Sequence, residues 1–203
     1  MRLMANIALA PLSARNERQG GGHVKGSMIR AHLDWVRDHT SREETIEFYA
    51  SLPDGVRRQV STVLAASWYE FSTLIEIDRA ILTLFGNGEP RFLERLGAFS
   101  AETNLAGVYR FFRREGVHDF FRRSALLHNQ FQDFGTSEYS EESETSGTMR
   151  HREYTSFSPL FCASAIGYYR ECVQLHGGRT VEVAEAECQC AGDAACTFEI
   201  RWT

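Results

Sequence analysis

The sequence predicts an α+β fold in a single domain, with helices packed on an antiparallel sheet. Three observations lead there. Helical periodicity fills the chain from Val24 onward, and alternating strands are confined to the C-terminal part. Strands and helices do not alternate as they would in parallel βαβ units. Finally, 203 residues at 43% hydrophobic content supply one sizeable core, so disulfides are not needed to hold the fold.

The elements follow in order. Residues 1–22 end in "RNERQGGGH", polar and Gly-rich, which predicts a flexible N-terminal tail before a domain over 23–203. "VKGSMIRAHLDWVRDH" carries Val24, Met28, Leu33 and Val36 on one helical stripe. Ser41 with Glu44 reads as a capping box opening a short helix that stops before Pro53. Ser67 with Glu70 reads as another, opening a helix that Gly86 ends. Pro90 starts a long helix, Gly116 separates it from "VHDFFRRSALLHNQFQDF", and a strand pair turns near Ser146-Gly147. Pro159 begins a further helix that Gly177 ends. "RTVEVAEAEC" and "CTFEIRW" form the closing hairpin, with Cys196, Phe198, Ile200 and Trp202 on one face.

Composition removes several function classes. Net charge is −5 and Lys25 is the only lysine, whereas a protein that neutralises phosphates carries a basic excess. The rings and arginines of "RFFRR" and "FFRR" therefore read as helical faces rather than a nucleic-acid platform. No apolar run approaches the roughly 18–20 residues of a membrane span, and the N-terminus does not form a convincing export signal. Five cysteines, an odd number gathered after Pro159, predict reduced thiols in a cytoplasmic protein. No His-Glu-x-x-His pair, Gly-x-Ser-x-Gly elbow or phosphate-binding loop is present, so no catalysis is expected.

The cysteines carry the sharpest signal. Cys188 and Cys196 flank the tight turn of the last hairpin, and Cys162 sits in the first turn of the Pro159 helix, where amide dipoles favour a thiolate. Glu185, three residues before Cys188, completes a tetrahedral zinc set only if the strand bulges near Glu187. Cys190 is the competing fourth ligand. Buried inert thiols and a redox site are the other readings of the same residues. Among the aromatics, ring and polar tip coincide at Trp68, Tyr69, Tyr109, His128 and Tyr154, the candidates for a small-molecule pocket. Core packing is the plainer role for each.

The order Cys162, Glu185-x-x-Cys188, Cys196, with "CQCAGDAACTF", resembles the zinc site of 4-vinyl-reductase-type, hydrocarbon-binding domains. Those include sensor domains of phenol- and toluene-responsive activators. "VKGSMI", "SWYEF", "LAGVYRFF" and "AGDAACTFEIRW" resemble a mostly myxobacterial family related to it. The resemblance implies a dimeric ligand-binding domain with a structural zinc held by Cys162, Glu185, Cys188 and Cys196 beside an apolar pocket. The function expected from it is binding or sensing of a small apolar or aromatic molecule. A tetrapyrrole-acting vinyl reductase, a haem-based gas sensor of related fold and a scaffold with a vestigial pocket are the alternatives. The haem-sensing fold needs a proximal His and a Tyr-x-Ser-x-Arg triad, and the nearest match, Tyr154-Thr155-Ser156-Phe157-Ser158, lacks the Arg.

Overall fold

The computed structural model describes residues 15–106 and 116–203, and within them the architecture is α+β. Strand β1 (His23–Lys25) pairs antiparallel with β2 (Trp68–Glu70). Helices α1 (Gly26–His39), α2 (Arg42–Ser51) and α3 (Asp54–Val60) lie between them in sequence. Then come α4 (Phe71–Phe85), α5 (Arg91–Ala106) and α6 (Val117–Leu126). The main sheet follows, from β3 (Thr136–Ser143), β4 (Ser146–Arg152), β5 (Glu182–Glu187) and β6 (Ala195–Arg201), with α7 (Pro159–Leu175) between β4 and β5. Its strand order is β3-β4-β6-β5, with each neighbour antiparallel.

Local signals built the elements where no distant strand competed for the backbone. The Ser41 amide donates to Glu44 Oε2 at 2.8 Å and the Glu44 amide to Ser41 Oγ at 3.2 Å, which is the capping box the sequence predicts. Ser67 and Glu70 make no such box. Trp68–Glu70 is drawn into pairing with His23–Lys25, and α4 opens at Glu70 without a side-chain cap. The same pairing turns Val24 and Lys25 from helix to strand, with the Gly26 amide donating to the Ser67 carbonyl at 2.9 Å.

Helices α5 and α7 lie against each other at backbone distance. A Cβ on Gly97 would overlap the Ser164 carbonyl, and one on Gly167 would overlap the Glu94 carbonyl, so each helix gives the other a glycine to approach. This contact joins two buried clusters. One gathers Phe48, Phe71, Leu74, Ile77 and Leu93 among the helices, and the other Phe121, Met149, Ile166, Phe198 and Trp202 beside the sheet. At about 1.5–3 kcal/mol for each large apolar side chain buried, these two clusters hold the fold.

Residues 15–22, the end of the segment expected as a tail, are docked on the body. The Asn16 amide donates to the Cys190 carbonyl at 2.8 Å, and Arg18 exchanges backbone bonds with Phe157. No described helix is long and apolar enough to cross a membrane.

Candidate functional site

Two polar centres sit back to back where α7 meets the sheet. The first is the thiol cluster. Ser158 accepts from the Leu160 amide and Pro159 takes the first helical position, which puts Cys162 in the opening turn of α7. Cys188 closes β5, and Gly192, at φ +102°, lets the chain turn back to Cys196 on β6. The register of β5 on β6 shifts between Glu185 and Glu187, so Glu185 faces the same way as the cysteines. Ligand atoms of Cys162, Glu185, Cys188 and Cys196 all lie within 4.8 Å of one another. Cys162 Sγ is 3.9 Å from both Cys188 Sγ and Cys196 Sγ, so these are thiols in contact and not a disulfide.

Hydrogen bonds from Cys162, then Cys190 and Cys196, pull the Cys188 thiol far below its ordinary range, and the bond to Cys188 raises Cys162 in turn. Cys190 is buried next to the cluster and interacts with Cys162 and Cys188. Arg15 adds a residue that no sequence signal marked. Its Nη1 donates to Glu185 Oε2 at 2.7 Å and to Cys188 Sγ at 3.4 Å, with both side chains buried. Burial raises the Glu185 carboxyl to about 7 despite the Arg15 bond, which acts the other way.

The second centre is a chamber of about 160 Å³ bounded, among the described residues, by α1, α4, α5, α6, α7 and the β3-β4 face. Leu74, Leu105, Phe120, Phe131, Met149 and Phe161 give it an apolar surface. On the sheet side the polar atoms close on themselves. His128 Nε2 reaches the Phe134 carbonyl at 3.0 Å, and a carbonyl only accepts, so Nε2 carries the proton. Burial lowers the His128 pKa, so the ring is neutral and its Nδ1 accepts, from Ser137 Oγ at 3.0 Å. Ser137 Oγ in turn accepts from His151 Nδ1 at 2.7 Å, leaving His151 Nε2 to accept from the Tyr169 hydroxyl at 2.5 Å. Burial first, and His128 second, push His151 down to about 3, which keeps this ring neutral too. Tyr154 donates to Gln132 Oε1 at 2.7 Å. Every ring and hydroxyl proton in this wall has a place.

The helix side differs. His32 on α1 lines the chamber and joins its Nδ1 to Asp78 Oδ1 on α4 at 2.5 Å. Both are buried, and Asp78 Oδ2 has no partner among the described residues.

Of the ligand-facing residues suggested by the sequence, His128 and Tyr154 line this chamber. Trp68 does not. It is exposed on β2, under Lys25 Nζ at 3.9 Å. Tyr69 packs into the helical core and accepts from the Leu64 amide at 3.0 Å, away from the chamber. Tyr109 lies outside the described residues. Sequence reasoning missed His32, Asp78, Ser137, His151 and Tyr169. One signal was available: Asp78 occupies a core position in the stripe Phe71, Leu74, Ile75, Asp78, Ile81 and Leu82 of α4.

No protein-family model matches the sequence, and no curated protein matches it significantly. Solved structures do match. An Fe(II) unliganded H-NOX protein from K. algicida superimposes with a TM-score of 0.66 at 10% identity, covering 88% of this chain and 96% of that one. An H-NOX protein from S. oneidensis in the Fe(II)NO ligation state gives 0.67 at 14% identity, with 88% and 99% covered. An oxygen-binding H-NOX domain related to soluble guanylate cyclases gives 0.65 at 11% identity, with 88% and 95% covered. The chain therefore has the H-NOX fold.

That finding corrects two expectations. The resemblance to 4-vinyl-reductase-type domains, including the related myxobacterial family, is replaced by the H-NOX fold. The structural zinc, expected from the ligand spacing and from that resemblance, is overturned too, since these neighbours are described as Fe(II), Fe(II)NO and oxygen-binding proteins. The physical reason is local: Arg15 already supplies the positive charge beside Glu185 and Cys188. The closing hairpin is present, but as the carrier of a thiol, carboxylate and guanidinium cluster rather than of zinc.

Proposed function

We propose that this protein is a small-ligand sensing domain, binding its ligand in the chamber between the helices and the β3-β4 face, without catalysis of its own. The observation that carries this is the chamber itself. It is apolar over most of its surface, has a few converging polar groups and equals in size the roughly 150 Å³ engineered cavity that takes up benzene. The thiol cluster braces its outer side: Cys196 pairs across the sheet with His151, and Phe198 packs on both His151 and Tyr169. Titrating the labelled protein with benzene and following amide NMR shifts tests the site. Shifts confined to residues around the chamber are expected, and Ala165→Phe, which fills it, abolishes them. Saturable binding elsewhere, or none, overturns the reading.

A second reading is supported by the fold neighbours, whose descriptions name Fe(II), NO and oxygen: the ligand reaches the domain through haem. The chamber does not complete a cradle for it. No Arg or Lys is among the described residues that line it to receive carboxylates, and of its histidines His128 and His151 have both ring nitrogens engaged, while His32 has Nδ1 on Asp78. An absorption spectrum of protein expressed with added haem decides: a stoichiometric Soret band favours haem-based sensing, and its lack favours direct binding.

A further inference from the structure

Among the described residues that line the chamber, two polar sites lack a complete set of protein partners, Ser100 Oγ and the His32 and Asp78 pair, and only the pair is held in place by a hydrogen bond of its own. Met28 and His32 stand one turn apart on α1, as do Leu74 and Asp78 on α4, so the pair forms where the two helices meet beneath the chamber. His32 is 5% exposed and Asp78 0%. No described residue bonds to His32 Nε2, while Nδ1 is fixed on Asp78 Oδ1.

Counting protons decides what Nε2 presents. If Asp78 is ionised and His32 is imidazolium, both ring nitrogens carry hydrogen. If the proton sits on Asp78 instead, the carboxyl donates to Nδ1 and the neutral ring must carry its hydrogen on Nε2. Both arrangements leave the pair neutral overall, and both turn an N–H toward the chamber. Only an ionised Asp78 beside a neutral ring protonated on Nδ1 would present a lone pair. That state leaves a fully buried carboxylate without counter-charge and with Oδ2 unbonded.

We propose that His32 Nε2–H, held by Asp78, is the anchor of the chamber and selects a small, mostly apolar molecule bearing one neutral hydrogen-bond acceptor, such as a ketone or other carbonyl compound. The roughly one-ring volume sets the size of the apolar part, and the sheet wall, with its protons already placed, contributes shape. This inference rests on the chamber being the binding site. A donor without a protein partner discriminates between ligands by about ten- to a hundredfold, since a ligand that displaces water from it and lacks the acceptor leaves it unbonded.

The probes are acetophenone and ethylbenzene, which match in shape apart from the carbonyl oxygen. Wild-type protein is expected to bind acetophenone at least tenfold more tightly in NMR titrations. His32→Phe is expected to bring the ratio near one while ethylbenzene still binds. The ¹⁵N spectrum of the wild-type histidines gives an answer that does not depend on the variant folding: His32 Nε2 is protonated at neutral pH and shifts with acetophenone but not with ethylbenzene. Equal binding of both probes, an unchanged ratio in His32→Phe, or an unprotonated Nε2 overturns the anchor while leaving the chamber as a site. Failure of both probes to bind removes the chamber reading itself, and the anchor with it.

Discussion

On the sheet side of the chamber, His128, Ser137, His151, Tyr169, Tyr154 and Gln132 hydrogen-bond until every ring and hydroxyl proton has an acceptor. On the helix side, His32 and Asp78 make one short bond and leave Nε2 and Oδ2 without protein partners. Both sets are buried and both contain histidine, yet they answer different needs. A completed network fixes the shape of a wall, because removing any member leaves the others unpaired. An incomplete pair leaves a donor open to a ligand.

The sharpest break of this comparison is His151→Leu. It strips the Tyr169 hydroxyl and Ser137 Oγ of their partner inside a dry wall, at about 1–3 kcal/mol for each buried group. A loss of about 3 kcal/mol or more in urea unfolding is expected. The double variant His32→Leu/Asp78→Leu removes a whole pair and leaves nothing orphaned, so it should fall within about 1 kcal/mol of the parent or exceed it. If the double change costs as much as His151→Leu, the pair is structural and the distinction between the walls fails.

Acid tests the sheet wall next. His151 is held down to about 3 by burial, then by His128, while an unfolded histidine titrates near 6.5. Its contribution to stability is therefore complete above about 6.5 and is lost as pH falls toward 3, because the unfolded chain takes the proton first. Between pH 7.5 and 5 this amounts to about 2 kcal/mol at roughly 1.4 kcal/mol per unit. Glu185 works the opposite way. Raised to about 7 by burial, it contributes fully below its unfolded value and loses that as pH rises through 7. The measurement is thus the difference between parent and His151→Gln in urea at the two pH values. The parent should lose more stability on acidification, and parallel losses would place the titration elsewhere.

How much of this was readable follows from the range of each interaction. The box at Ser41 and Glu44 spans three residues and formed as its sequence predicts. The equivalent pattern at Ser67 and Glu70 did not, because backbone pairing with His23–Lys25 outbid it from more than forty residues away. The convergence of Cys162, Glu185, Cys188 and Cys196, with the strand irregularity it needs, was legible from one hairpin and one helix start. The charge that completes the cluster was not, since Arg15 comes from the opposite end of the chain. The chamber was hardest to see. His32 and Asp78 are each single polar residues in ordinary apolar stripes, and only the crossing of α1 and α4 makes them a pair.

The smallest effect expected comes from Trp68, which composition marks as a pocket residue and the structure places outside it. Its ring lies on β2, 40% exposed, with Lys25 Nζ 3.9 Å from the ring centroid. An exposed contact of this kind contributes about 0.5–1 kcal/mol. The Lys25 ammonium also donates to the Ala66 carbonyl at 2.9 Å, so it keeps a partner when the ring is removed. Trp68→Ala should lower stability by less than about 1 kcal/mol and leave acetophenone affinity unchanged within twofold. The chamber walls are built from other elements, and the β1-β2 pairing survives because its backbone bonds do not involve the side chain. A tenfold loss of affinity in this variant would move the binding site toward β2 and away from both walls compared above.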